Sequence, residues 1–140
     1  MSRVYNPETI GKERNRLTRA IVIALRELMH QPEPNSSTRD QAAVVTLALE
    51  SIAENLDPSV AAWEKRGYWV KADRFRMEWA WTNRLGSELR KALLEDDWGG
   101  VAQAAVQITQ KLQDVKVPVR HRLGTPWVGA WKKVKDSSLS

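Results

Sequence analysis

Cysteine is absent from the 140-residue chain. That absence removes zinc ribbons, iron–sulfur clusters, thiol nucleophiles and disulfide scaffolds at once. Long apolar runs are also missing: the longest, residues 20–25, falls far short of the roughly 20 residues that cross a bilayer. The first nineteen residues carry Arg3, Glu8, Lys12, Glu13, Arg14, Arg16 and Arg19, unlike an apolar leader, so the expectation is a soluble, cytoplasmic protein without a membrane span. No segment alternates apolar and polar residues with period two, so no sheet is expected. A glycine-rich phosphate loop is lacking as well. Gly99-Gly100 is not followed by Lys-Ser/Thr, and Asp96 and Asp97 would repel an anion at that point.

What the chain does have is apolar periodicity of helical type. Hydrophobic residues make up 42% of it, enough for one folded domain, and 22 Lys plus Arg against 17 Asp plus Glu leave a net charge of +5. Asn6 and Pro7 open a first helix over 7–30, with Ile10, Leu17, Ile21, Ala24, Leu25 and Leu28 on one face. Pro32 and Pro34 mark a loop. Ser37 and Asp40 have the spacing of a capping box for a second helix over 38–56. Asp57-Pro58 starts a short helix over 58–65, and Gly67 precedes a long one over 68–94. A further helix over 101–115 and a short one opening at Thr125-Pro126 complete the pattern. The expected architecture is therefore all-α: one domain spanning 1–140, a bundle of four main helices plus two short ones, with 136–140 as a loose tail.

Catalytic furniture is sparse. Glu27 and His30 have the i, i+3 spacing that di-iron bundles use twice, but the second half of that motif is missing because Pro118 precedes the only other histidine, His121. Glu50, Glu54 and Asp57 could line up as magnesium ligands in an all-α nucleotide hydrolase. The other acidic cluster, Glu95 to Asp97, lacks helical pair spacing, so a solvated acidic face is the simpler reading. Neither histidine sits in a nucleophile motif. A helix-turn-helix over 58–81 fails too, because Trp63 and Asp73 fall where that motif takes a small and a buried aliphatic residue. The sequence thus calls for no catalytic residue, metal or cofactor.

Charge is the most informative feature. The segments 1–34, 35–57, 58–95, 96–115 and 116–140 carry +2, −3, +3, −2 and +5, so the basic excess is concentrated at the C-terminal end. Lys12, Arg16, Arg19 and Arg26 form a stripe on the first helix, interrupted by Ile23. Arg120 and Arg122 lead into Gly124-Thr125, expected at a helix N-terminus where backbone donors could hold a phosphate. Seven tryptophans are many for this length. Four lie between residues 63 and 81, interleaved with cations, a composition suited to single-stranded nucleic acid. In size and charge the chain resembles small basic helical subunits that line nucleic acid in multisubunit complexes, such as the small subunits of CRISPR effectors, though no residue motif carries the likeness.

The leading expectation is a non-enzymatic binding or scaffold subunit that contacts nucleic-acid phosphates through Lys12, Arg16, Arg19, Arg120, Arg122, Lys132 and Lys133. Trp69, Trp81 and Ile23 are the candidate partner contacts. The rival is a protein adaptor or homo-oligomer without nucleic-acid affinity, using Ile23, Trp81 and the face from Gln103 to Gln110. A magnesium-dependent hydrolase built on Glu50, Glu54 and Asp57 is the third reading.

Overall fold

The structure, a computed structural model, describes residues 7–31 and 33–138. All its regular elements are helices: α1 (Pro7–Met29), α2 (Ser36–Glu54), α3 (Leu56–Lys65), α4 (Trp69–Trp79), α5 (Trp81–Leu94), α6 (Trp98–Lys111) and α7 (Ala130–Ser138). The all-α expectation holds, and the helix count differs from it. The expected N-cap Asn6 and the loop residue Pro32 lie outside the described residues.

Helix α2 is the central element, with α1, α5 and α7 packed around it, while α6 packs on α5. Its composition explains the position. Ala42, Ala43, Val45, Thr46, Ala48, Leu49 and Ile52 are all buried, and the three alanines let neighbouring backbones come close. Thr46 is tolerated in this setting because its hydroxyl donates to the Ala42 carbonyl at 3.0 Å. Ile21, Leu85, Leu89, Ile108 and Val134 complete the core. Each large aliphatic side chain fully buried there contributes roughly 1.5–3 kcal/mol. Where α5 meets α2, Gly86 allows a close approach: a Cβ at that position would sit 3.2 Å from the Leu49 Cβ, tighter than an ordinary contact.

The long helix expected over 68–94 is divided at Ala80. In an unbroken helix residues two apart point to opposite sides. Here the Trp79 and Trp81 rings stack at 6.4 Å and 26°, which an uninterrupted helix does not allow. Carbonyls near the break find side-chain donors, Trp81 Nε1 to Glu78 at 2.8 Å and Thr82 Oγ1 to Trp79 at 2.7 Å. Helices α3 and α4 then form a hairpin turned at Gly67, whose φ of +80° suits glycine.

Two caps also differ from the sequence reading. The capping box of α2 uses Asn35 and Thr38, not Ser37 and Asp40. Helix α5 ends in a Schellman-type turn, with Asp97 N–H donating to Ala92 and Asp96 N–H to Leu93, while Asp96 takes the left-handed position at φ 57°. Asp97 next caps α6 through Gly100 N–H at 3.0 Å. At the other end, residues 136–138 of the expected loose tail belong to α7, and residues 139–140 lie outside the described residues. Ser138 there donates to the Val134 carbonyl and accepts from Arg90. No helix among the described residues is long and apolar enough to cross a membrane.

Candidate phosphate-binding surface

Helix α1 turns Lys12, Arg16 and Arg19 to solvent on the side opposite its core face. Arg16 is engaged within its own helix: Nε donates to Glu13 Oε2 at 3.0 Å and a second nitrogen closes the pair. The hydrogen bonds from Arg16 hold the Glu13 carboxyl below its ordinary range. Lys12 and Arg19 enter none of the ion pairs among the described residues.

One turn further along, the stripe is covered. Arg26 donates to the Val117 carbonyl at 2.6 Å and to that of Pro118 at 3.5 Å, fastening the chain after α6 along α1. Val117 is itself buried. Ile23, three residues before Arg26 on the same face, is only 2% exposed. This corrects its assignment as a partner contact, because a side chain so enclosed offers no surface to a partner. The same fastening starts the basic stretch with Lys116, Arg120 and Arg122 from the stripe side of α1. Arg120 and Arg122 are exposed.

The helix N-terminus expected at Thr125-Pro126 is not there. Residues 126–129 form a turn, closed by Val128 N–H to Thr125 at 3.4 Å and Ala130 N–H to Trp127 at 3.0 Å, and α7 begins at Ala130. Its first donors are already taken by a carboxylate. Asp40 accepts from Trp131 N–H at 2.9 Å and from Gly129 N–H at 3.4 Å. An internal anion thus occupies the kind of site that a phosphate would use. Lys132 and Lys133 lie exposed on α7, which packs against α2 through the buried Ala130 and Val134.

The acidic candidates separate. Arg90 grips Glu50 with both arms, Nε to Oε2 at 2.6 Å and Nη2 to Oε1 at 2.8 Å, and also donates to Ser138 Oγ at 2.7 Å and to the Val134 carbonyl at 3.3 Å. The hydrogen bonds it donates to Glu50 raise the Arg90 pKa above its already high value, so this charge is permanent. Glu54 and Asp57 stay exposed beside the groove that Arg76 and Arg90 also line. Among the described residues no three His, Asp or Glu side chains come close enough together to hold a metal ion, so Glu50, Glu54 and Asp57 do not assemble as a magnesium site. Glu27 and His30 are likewise exposed, with the His30 ring against the Arg26 carbonyl at the helix end.

The aromatic candidates divide as well. Trp69 is 63% exposed at the start of α4. Trp81 is half-buried against the core, its indole N–H held by the Glu78 carbonyl. Gln103 and Gln110 are exposed on α6, and Gln107 is half-buried. The sequence reading missed Val70 and Met77, exposed near Trp69 on the same helix. Their seven-residue spacing is the available signal, hidden while residues 68–94 are read as one long helix. Compared with protein-family models, with curated proteins and with solved structures, the chain matches none.

Proposed function

We propose that this protein is a non-enzymatic binding subunit that holds nucleic-acid phosphates on a basic surface comprising Lys12, Arg16 and Arg19 of α1, Arg120 and Arg122 of the following chain, and Lys132 and Lys133 of α7. The observation that carries the reading is the Arg26 clasp on Val117 and Pro118, which fastens the start of the basic C-terminal stretch to the basic helix. Side chains far apart in sequence can then act on one polyanion. A second support is that no ion pair among the described residues uses Arg120, Arg122, Lys132 or Lys133.

The test is titration of intrinsic tryptophan fluorescence with short duplex and single-stranded oligonucleotides at two salt concentrations. If Lys12, Arg16, Arg19, Arg120 and Arg122 each neutralise one duplex phosphate, the logarithmic salt slope is about −4.5, and raising salt from ~50 to ~200 mM weakens binding about 500-fold. Reversing Arg120 and Arg122 to Glu should cost a further tenfold or more at low salt. An affinity indifferent to salt and to that double reversal, or no binding at low salt, rejects the reading.

A further inference from the structure

Helix α4 is held from one side only. Ala72 is buried, while Phe75 and Trp79 are half-buried, with the Arg14 guanidinium 4.5 and 5.3 Å from their rings. The opposite face carries Val70 at 69% and Met77 at 75% exposure, with Trp69 at 63% on the flank beside Val70. Single exposed apolar residues need no explanation, but three large ones on an eleven-residue helix form a patch, and such patches mark contact surfaces.

The charges around the patch indicate what it contacts. At 100° per residue, Val70 and Met77 fall nearly in line along α4, two turns apart. Asp73 and Arg74 lie between them, about 50° to either side of that line. Both are exposed, and neither enters an ion pair among the described residues. A polyanion or an anionic lipid surface laid on this face would meet Asp73 as closely as Arg74, so its attraction to one flank is offset by repulsion from the other. A surface of alternating sign meets no such offset, and α4 supplies one itself.

We infer that two copies of this chain associate through their α4 helices, side by side and parallel, about a two-fold axis running along the helix direction. Val70 and Met77 then meet their own equivalents across the axis. The axis also carries each acidic flank onto the basic flank of the other copy, so Asp73 faces Arg74 of the second copy twice over. An antiparallel pair brings Asp73 beside Asp73 and Arg74 beside Arg74, which is repulsive, so the charge pattern selects the parallel arrangement. A groove of about 720 Å³ beside the ridge, lined by Tyr68, Trp69, Val70 and Arg74 among others, leaves room for side chains of the second copy to settle. Methionine at the centre suits such a contact because it adapts its shape.

An eleven-residue helix is only about 16 Å long, which places the contact at the small end of specific interfaces and predicts dissociation in the micromolar range. Sedimentation equilibrium of the full chain from ~1 to ~300 μM, without nucleic acid, should show the mass rising from 15.9 kDa toward twice that value. Met77→Glu and Arg74→Asp should each weaken dimerisation at least tenfold. The double reversal Asp73→Arg with Arg74→Asp should restore it to within about threefold, because the pairs re-form with signs exchanged. All three changes lie on the surface, so circular dichroism and the melting temperature should stay near those of the unaltered chain. A chain that is monomeric throughout, a dimer indifferent to Met77→Glu, a double reversal as weak as Arg74→Asp alone, or a dimer formed only when an oligonucleotide bridges two chains would overturn the inference. The sedimentation and variant readouts are taken without nucleic acid, so failure there leaves the phosphate-binding proposal standing, and the reverse also holds.

Discussion

Replacing Arg90 by Ala should loosen the far end of the bundle more than any other single surface change. The guanidinium joins α5 to α2 through two hydrogen bonds with Glu50, and to the last turns of α7 through Ser138 and Val134. Hydrogen bonds to charged groups contribute roughly 1.5–3 kcal/mol each when dry. The Arg90 and Glu50 side chains are 22% and 32% exposed, so solvent screening reduces that figure, and about 2 kcal/mol is expected for the whole truncation. With an unfolding entropy of about 2.1 cal/mol/K per residue, a chain of this length has roughly 0.3 kcal/mol/K in total, and the melting temperature should fall by about 7 °C. Arg90→Lys should lose about half as much, since it keeps the charge but not the two-armed grip. Thermal unfolding followed at 222 nm measures both. A double-mutant cycle with Glu50→Ala should return a coupling of about 1–2 kcal/mol, and amide exchange at residues 131–138 should accelerate before that of α2. A melting temperature within about 1 °C of the unaltered chain, or additive single changes, would refute the view that this pair fastens α7.

Two further outcomes follow from local geometry. Gly86→Ala gains about 1 kcal/mol of helix propensity, but the new methyl meets the fixed Leu49 Cβ at 3.2 Å, so overpacking should win by about 1 kcal/mol and lower the melting temperature by roughly 3 °C. Equal or higher stability would mean that α2 and α5 can separate without loss. Glu13→Gln should free Arg16 and strengthen oligonucleotide binding about threefold at low salt. The carboxyl of Glu13 titrates below its ordinary value, so the pair and its small stabilisation persist above the usual carboxylate range and are lost as pH falls through the lowered value. Binding by the unaltered chain should therefore rise on acidification through that window while the Gln variant stays flat, and parallel pH profiles would exclude Arg16 from the contact.

Legibility in the sequence followed the range of the interaction. The helical periodicity of residues 7–29 and 36–54, with Pro58 and Gly67 as punctuation, is local and reads correctly as α structure to within a few residues. The break at Ala80 was not legible, because the spacing of Phe75, Trp79, Thr82 and Gly86 continues smoothly through it, and only the stacking of two tryptophans reveals it. Asp40 misled for a related reason. Its distance from Ser37 suggested a cap on its own helix, whereas its carboxylate reaches residues 129 and 131 and sets where α7 begins. Ile23 looked like an exposed residue in a polar stripe, since nothing near it in sequence announces that Val117 and Pro118 return to cover that face.

The same long-range contacts decide how the charges are used. The acidic segment 35–57 and the basic segment 116–140 meet where α2 packs on α7, and mutual neutralisation would have been the simplest result. Among the described residues it does not occur: Asp40 accepts backbone N–H groups, Glu50 pairs with Arg90 of α5, and Glu54 and Asp57 remain in solvent. The contact between the two segments rests on Ala130, Val134 and a helix terminus. Among the described residues no cation of the last segment enters an ion pair, and clustered like charge disfavours the compact state unless a counter-charge arrives from outside. The basic segment is thus attached through its backbone and apolar side chains rather than through its charged ends.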